Sequence, residues 1–503
     1  MKTLLIKSTF FALLVLSLAS CKKWIDYNPQ EEFKITELDY LQSESDYRTM
    51  AVSVYTPLQW LNQAVVVGEI ASDNAVSGGE NASDVLPLQQ IDDYTHTPNN
   101  ATLSELWKSA YEGVNRANYL TQYKAANPAG KSVEFAGKEA LYGEIHFLRA
   151  YYYFTLVKFF GDVPLFTDKR LGLAESGSLG RSPKADVYKQ VENDLIAAIA
   201  VLPAVQVQKG RITKYAAQAL LGKVYLYQKK YNEAAPVLES IITSNAFTLV
   251  NDYAGMFLST GENGAESVFE IQYSNTSPYY NWGGATRGQG NYAVQQCGIR
   301  GLNGSGAMPY AAGWSTNLPT QNLSNAYTAG DQRKAATILD IEAYKAANPS
   351  FNITYQVAPY KNTGLYSQKY HPRKGQTSGQ LELNYLNNYR IIRYSDVLLM
   401  AAEAWNKSTA PNDTKAQGYV NQVRRRAFGD NLHDITTTGN ALYLNIIDER
   451  RLELAMEGDR FFDLVRTGQA ATKITGFTAG KHEVFPIPQE EIIISGLTQN
   501  AGY

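Results

Sequence analysis

Thirty residues in the middle of the chain, TKYAAQALLGKVYLYQKKYNEAAPVLESII (213–242), constrain the fold more than any other stretch. Apolar side chains recur there at three- and four-residue spacing, the period of helices with one buried face. Leu221, Gly222, Tyr225, Ala234 and Leu238 fall in the order L-G-x-x-Y…A-x-x-x-L. Gly222 has no side chain and Ala234 only a methyl, so two antiparallel helices can approach closely there. Tyr225 then fills the space beside them.

That spacing is the tetratricopeptide pattern, with Leu in its last place. Helical periodicity continues elsewhere. It predicts helices over 47–62, over 103–123 with Ser104 as the cap, over 138–160 ending at Gly161 and Pro164, and over 183–202 stopping at Pro203. The run Tyr151-Tyr152-Tyr153-Phe154 goes most of the way round its helix and is expected to be wedged between neighbours. Pairs 138–160 with 184–202, and 394–407 with 414–427, extend the scaffold. They are scattered along the chain, which predicts an interrupted array. The fold class is mainly α, a tetratricopeptide-like helical-repeat scaffold with a loop-rich irregular second part.

Residues 273–320 are of another kind: rich in Gly, Asn, Ser and aromatics, without helical period. Loops of that length are functional or disordered, and disordered segments are poor in aromatics. This one carries Tyr279, Tyr280, Trp282, Tyr292, Tyr310 and Trp314, so ordered binding loops are expected. A second insertion, 72–100, carries Asp73, Asn74, Asn81, Tyr94 and His96. An aromatic in a Gly/Asn-rich loop has little helix packing to satisfy. Trp282, Trp314, Tyr280 and Tyr292 are therefore the first candidate ligand contacts, with Tyr94 and Asp73 second. The whole chain has 35 tyrosines against 18 phenylalanines and 6 tryptophans. A phenol joins a flat apolar face to a polar tip, which suits a hydrated ligand as well as helix packing.

At the N-terminus, Lys2 and Lys7 form a basic head, and residues 8–19 then run without charge to Leu18-Ala19-Ser20-Cys21. Such a run rises ~18 Å as a helix, short of a ~30 Å hydrocarbon core. It reads as a signal peptide over 1–20. Small residues before the cysteine resemble the bacterial lipoprotein signal, in which the cysteine is acylated and becomes residue one. The expectation is a chain tethered to a membrane by lipid on Cys21.

Net charge is −2, with cations dispersed, so nothing marks a nucleic-acid surface. The 5 histidines show no ligand spacing, and neither a metal nor another cofactor is expected. Glu449, Glu453 and Glu457 share one helical face, and a glycoside hydrolase needs two carboxylates about 5–10 Å apart. Arg450, Arg451 and Arg460 are interleaved with them, which favours structural ion pairs. Asp396 and Glu403 are read as structural too, paired with Arg393 or with turn amides. No nucleophile elbow or phosphate loop occurs.

Several stretches together resemble one family, the SusD/RagB-like nutrient-binding lipoproteins of the Bacteroidetes outer membrane. They are CKKWIDYNPQ from Cys21, NRANYL from Asn115, EIHFLRAYYYFTLVKFFGDVPLF from Glu144, NLPTQNLSNAY from Asn317, RYSDVLLMAAEAWN from Arg393 and ERRLELAMEGDRFFDLVR from Glu449, with FPIPQEEI and TQNAGY at the end. The resemblance covers essentially the whole chain. It implies an N-terminal helical region over 21–270 and a C-terminal region over 271–503, whose first part, 271–320, is the aromatic loop insertion. It also implies a non-enzymatic protein that captures an oligosaccharide, delivers it to a SusC-like TonB-dependent transporter and acts as the transporter's lid. A peptide ligand, and a lipid-anchored glycan hydrolase, are the alternatives. Exported members carry acidic residues just after the cysteine. Here Lys22 and Lys23 come first, with Asp26, Glu31 and Glu32 further on.

Overall fold

The computed structural model describes residues 36–172, 175, 177–282, 287–357 and 359–503. Cys21, and with it the lipidation expectation, lies outside the described residues. The chain divides into two compact units, residues 1–47 with 123–135, and residues 48–122 with 136–503. In the described part of the smaller unit, the Tyr47 hydroxyl donates to the Tyr123 carbonyl at 3.0 Å and Asn127 Nδ2 to the Leu41 carbonyl at 3.2 Å.

The larger unit is helical because its apolar periodicity is long and cleanly terminated. Its main helices are α1 (Glu44–Trp60, entered from the smaller unit), α2 (Gln63–Ile70), α3 (Leu86–Asp92), α4 (Ala101–Gln122), α5 (Lys138–Phe160), α6 (Lys184–Val201), α7 (Lys214–Tyr227), α8 (Tyr231–Thr243), α9 (Tyr394–Lys407), α10 (Asp413–Phe428), α11 (Gly439–Leu454) and α12 (Arg460–Arg466). α5 is bracketed by Gly137 and Gly161, both at positive φ (82° and 73°), a backbone state glycine enters without steric cost. Thr213 caps α7 by accepting from the Ala216 amide at 3.2 Å. The start of α4 departs from expectation. Asn100, not Ser104, is the cap, and its Oδ1 takes the Leu103 amide at 3.2 Å.

Helices α4 to α9 pack in series, each on the next, and α9 then packs on both α10 and α11. Residues 244–393 separate α8 from α9 in sequence, yet the two are neighbours. The array is thus interrupted along the chain and continuous in space. A Cβ on Gly222 would collide with the Leu238 side chain, the close approach that the L-G-x-x-Y spacing encodes. Gly113 plays the same part for α4 and α5, where a Cβ would run into the Tyr152 ring. Tyr152, Tyr153 and Phe154 are buried, and the phenols of the first two reach the Val54 and Phe166 carbonyls at 2.6 Å.

The strands are few and short: β1 (Ala75–Val76), β2 (Ser267–Ile271), β3 (Leu318–Pro319), β4 (Ile338–Asp340), β5 (Leu365–Ser367) and β6 (Tyr389–Arg393), in antiparallel pairs β1–β3, β2–β6 and β4–β5. The expected boundary at 270/271 falls inside β2, whose partner β6 leads directly into α9. The irregular part carries a core of its own. Ile299, Met308, Tyr310, Leu318, Ile341 and Tyr366 are all buried together. The described residues of 273–320 send apolar side chains into that core, among them Ile299, Met308, Tyr310 and Leu318.

Candidate ligand-binding site

Two loop-rich insertions, 72–100 and 273–320, meet at one corner. Strand β1 from the first pairs with β3 from the second, Ala75 opposite Pro319 and Val76 opposite Leu318. The Thr320 amide donates to the Asn74 carbonyl at 2.8 Å. Gly78 presses so closely that a Cβ there would strike the Ser315 carbonyl. On the other side of the corner, Gly298 and Gly313 approach without room for a side chain on either. The amides of Gly313, Trp314 and Ser315 donate to the carbonyls of Ile299, Gln295 and Gly298 at 2.8, 2.8 and 2.9 Å. Ser315 is fully buried in the left-handed region (φ 54°) and accepts the Arg300 amide on its Oγ at 2.9 Å. Trp314 therefore projects from a closely held backbone.

Trp282 faces it. The indole centroids are 5.7 Å apart with planes inclined by 38°, and Trp282 is 64% exposed. Tyr280 and Tyr292, half-buried, form an edge-to-face pair at 5.5 Å. Asn384 fixes the Tyr280 backbone from both sides, accepting its amide at 2.8 Å and donating to its carbonyl at 3.0 Å. Burial above all, with the charge of Glu105 on both and of Tyr292 on Tyr280, outweighs Arg287 and pushes both phenols far above their ordinary range, so they remain neutral donors at any physiological pH. The structure thus assembles the four loop aromatics as two pairs, an indole pair with one exposed member and a half-buried phenol pair.

Comparison with known proteins gives this geometry its context. Residues 265–503 match the profile of the SusD family, and residues 23–226 match one described as starch-binding associating with outer membrane. A solved laminarin-binding SusD-like protein aligns with 92% of this chain and 100% of its own length, at 34% identity and a TM-score of 0.82. The chain belongs to the SusD family. Surface glycan-binding protein A from Bacteroides thetaiotaomicron, solved in complex with laminarihexaose, is 28% identical over 91% of this chain and 100% of its own, with a TM-score of 0.79. SusD-like protein P2 of Formosa agariphila is 26% identical over 98% of this chain and 99% of its own.

Other expected residues of this SusD-family chain have different surroundings. Tyr94 is buried at positive φ (56°), its hydroxyl bonds to the Ala71 carbonyl, and its ring packs against His96, Phe477 and His482. Its faces are covered by the protein. Asp73 accepts from Arg460 Nε and Nη2 at 2.7 and 2.9 Å and pairs with Arg451 at 3.2 Å. Burial raises its carboxyl, but the Arg460 hydrogen bonds and both cations outweigh that and hold it below the usual range. Both side chains are engaged internally, and neither is carried into the proposed site.

The carboxylates of residues 449–457 are held by cations. Glu453, with no exposure, accepts from Arg426 at 2.6 Å, Arg393 at 2.8 Å and Arg333 at 3.2 Å. Glu449 pairs with Arg333 and Arg424, each at 2.7 Å, and Glu457 with Arg393 at 2.8 Å and Lys369 at 2.6 Å. Asp396 and Glu403, expected to pair with Arg393 or with turn amides, are held by other cations. Asp396 pairs with Arg450 at 2.6 Å and Lys223 at 3.3 Å, and Glu403 with Arg466, because Arg393 turns instead to Glu266, Glu453 and Glu457. Sequence reasoning missed Arg300, which touches Trp314. Its carboxylate partner, Asp84, lies 216 residues earlier, beyond any local pattern.

Proposed function

We propose that this protein captures an oligosaccharide non-enzymatically on the Trp282–Trp314 pair and passes it to a SusC-like TonB-dependent transporter over which it serves as a lid. In the same reading, Cys21 carries the lipid that keeps it at the outer membrane, facing outward. The observation that carries the reading is the inclined indole pair, one member of it 64% exposed, on a buttressed loop corner. Sugar rings offer C–H faces to indoles and hydroxyls to the rim, and each aromatic contact contributes about 0.5–1.5 kcal/mol beyond burial. A few such contacts give weak capture, which suits a protein that must release its ligand onward.

The inclination bears on ligand class. A flat, ribbon-like glycan presents coplanar faces, whereas planes 38° apart match a chain whose successive rings turn. Laminari-oligosaccharides are the first ligands to test, since laminarin and laminarihexaose appear with two similar structures. By calorimetry, Trp282→Ala and Trp314→Ala are each expected to weaken laminarihexaose binding by about 3- to 10-fold. Unchanged affinity in both would place the site elsewhere. Hexaose incubated with the protein should stay intact. Shortened products that vanish in Glu449→Gln or Glu453→Gln would replace capture by hydrolysis.

A further inference from the structure

Arg300 occupies a place that the ligand reading leaves unused. Its Nη2 and Nε donate to the Trp314 carbonyl at 2.9 and 3.2 Å, while Nη2 also meets Asp84 Oδ2. Glu80 Oε2 stands 3.8 Å from Nη1. The backbone of Arg300 is held as firmly, its amide by Ser315 Oγ at 2.9 Å and its carbonyl by the Gln356 amide at 3.0 Å. One guanidinium therefore joins the backbone of a platform tryptophan to an acid from the other insertion. Asp84 is itself fixed, since its Oδ2 accepts the Glu80 amide at 2.8 Å.

We propose that Arg300 is the positioning residue of the indole pair, setting the inclination of Trp314 against Trp282 through its fork between the Trp314 carbonyl and the Asp84 carboxylate. The physical case rests on what each element lacks alone. Trp314 sits on a tight corner, but one set by hydrogen bonds within its own insertion. The turn at 78–84 lies against that corner and is joined to it by the two-residue β1–β3 ladder, a short connection. The guanidinium adds the remaining restraint. Its planar fork sets Nε and Nη2 on the Trp314 carbonyl while Nη2 also meets the carboxylate, a fixed geometry that a freely rotating ammonium does not impose. The Arg300 side chain is 17% exposed and that of Asp84 25%, so the pair is partly shielded yet still within reach of salt.

This inference rests on the reading of the indole pair as the ligand platform, but its first readout does not. Two indoles 5.7 Å apart give exciton-coupled circular dichroism that depends on their mutual angle. In unliganded Arg300→Ala that signal is expected to fall by at least half, with laminarihexaose affinity about tenfold lower. Arg300→Lys should recover part of both, because its ammonium keeps the charge but not the planar fork of Nε and Nη2. Asp84→Asn keeps the bonds to Trp314 and should show an intermediate loss. It also carries the test if Arg300→Ala does not fold. Added NaCl should weaken hexaose binding in the unmutated protein and not in Asp84→Asn. Dichroism and affinity unchanged in the folded variants would overturn the proposal. A dichroism loss alongside a protein that binds no hexaose at all would uphold the positioning role and remove the glycan reading.

Discussion

Replacing Glu453 by Gln tests whether the acidic helix face is scaffold or chemistry. The side chain is fully buried and accepts three guanidinium donors, from Arg426, Arg393 and Arg333 at 2.6, 2.8 and 3.2 Å. Breaking a buried ion pair from one side costs about 3–5 kcal/mol. Each arginine here keeps another carboxylate: Arg393 and Arg426 keep Glu266, and Arg333 keeps Asp331 and Glu449. The lower end, about 3 kcal/mol, is therefore expected. Unfolding entropy of about 2.1 cal/mol/K per residue gives ~1 kcal/mol/K for a chain of this size, so Tm should fall by ~3 °C. Burial raises the Glu453 carboxyl, but the three arginines outweigh it and hold the group well below its ordinary value. Its contribution is then fully present above about pH 4.5 and is lost as pH falls through the depressed folded pKa. The melting curves of variant and parent should converge toward acid pH, while hexaose affinity at neutral pH stays within about twofold. A variant as stable as its parent, with a gap that ignores pH, would refute the ion-pair account.

Two further substitutions test the packing and the buried acid near the insertions. Gly113→Ala places a methyl inside the Tyr152 ring, whose hydroxyl is tied to Val54, so overpacking should cost about 1–3 kcal/mol in denaturant melts. Adding Tyr152→Leu should recover part of that loss, and a Gly113→Ala change below about 0.5 kcal/mol would contradict it. Glu69 is fully buried, and burial lifts its carboxyl to about 7 despite hydrogen bonds from the Gly458 amide and Asn74. An acid with a raised folded pKa stabilises most below its unfolded value. The parent should therefore lose on the order of 3 kcal/mol between about pH 4.5 and 8, a slope that Glu69→Gln flattens.

Helices were legible where period and punctuation agreed. The helices expected over 138–160 and 394–407 coincide with α5 and α9, and glycines at positive φ flank α5. The cap of α4 was not resolved by residue type, because Asn99, Asn100, Thr102 and Ser104 can all cap. Tertiary placement chose Asn100, whose Nδ2 also reaches the Pro87 carbonyl at 2.8 Å. Continuity of the array was hidden for another reason: α8 meets α9 across residues 244–393, and periodicity reports faces but not partners. The same limit explains Tyr94. Its place in an insertion made it a second candidate contact, but its ring is covered by Phe477 and His482 from the far end of the chain.

The acidic helix also explains how the loops can be irregular without being loose. Glu449 and Glu453 on α11, and Glu457 in the turn past its end at Leu454 rather than on the expected helical face, turn inward to the arginines and lysine of the scaffold, while Arg451 turns the other way. Its Nε donates to Asn74 Oδ1 at 2.9 Å and its Nη2 to Asn322 Oδ1 at 2.6 Å, the first residue within one insertion and the second just past the end of the other. Arg460, just beyond, grips Asp73. The stretch ERRLELAMEGDR is therefore a two-sided clamp, with carboxylates fixing the helix and guanidiniums fixing the roots of both insertions beside the β1–β3 ladder. Roots fixed in this way leave the loop tips free to differ in sequence at little cost to the fold, since the helices pack without them. On the proposed reading of the indole pair, Asp73 acts by holding the base of the corner from which Trp314 projects.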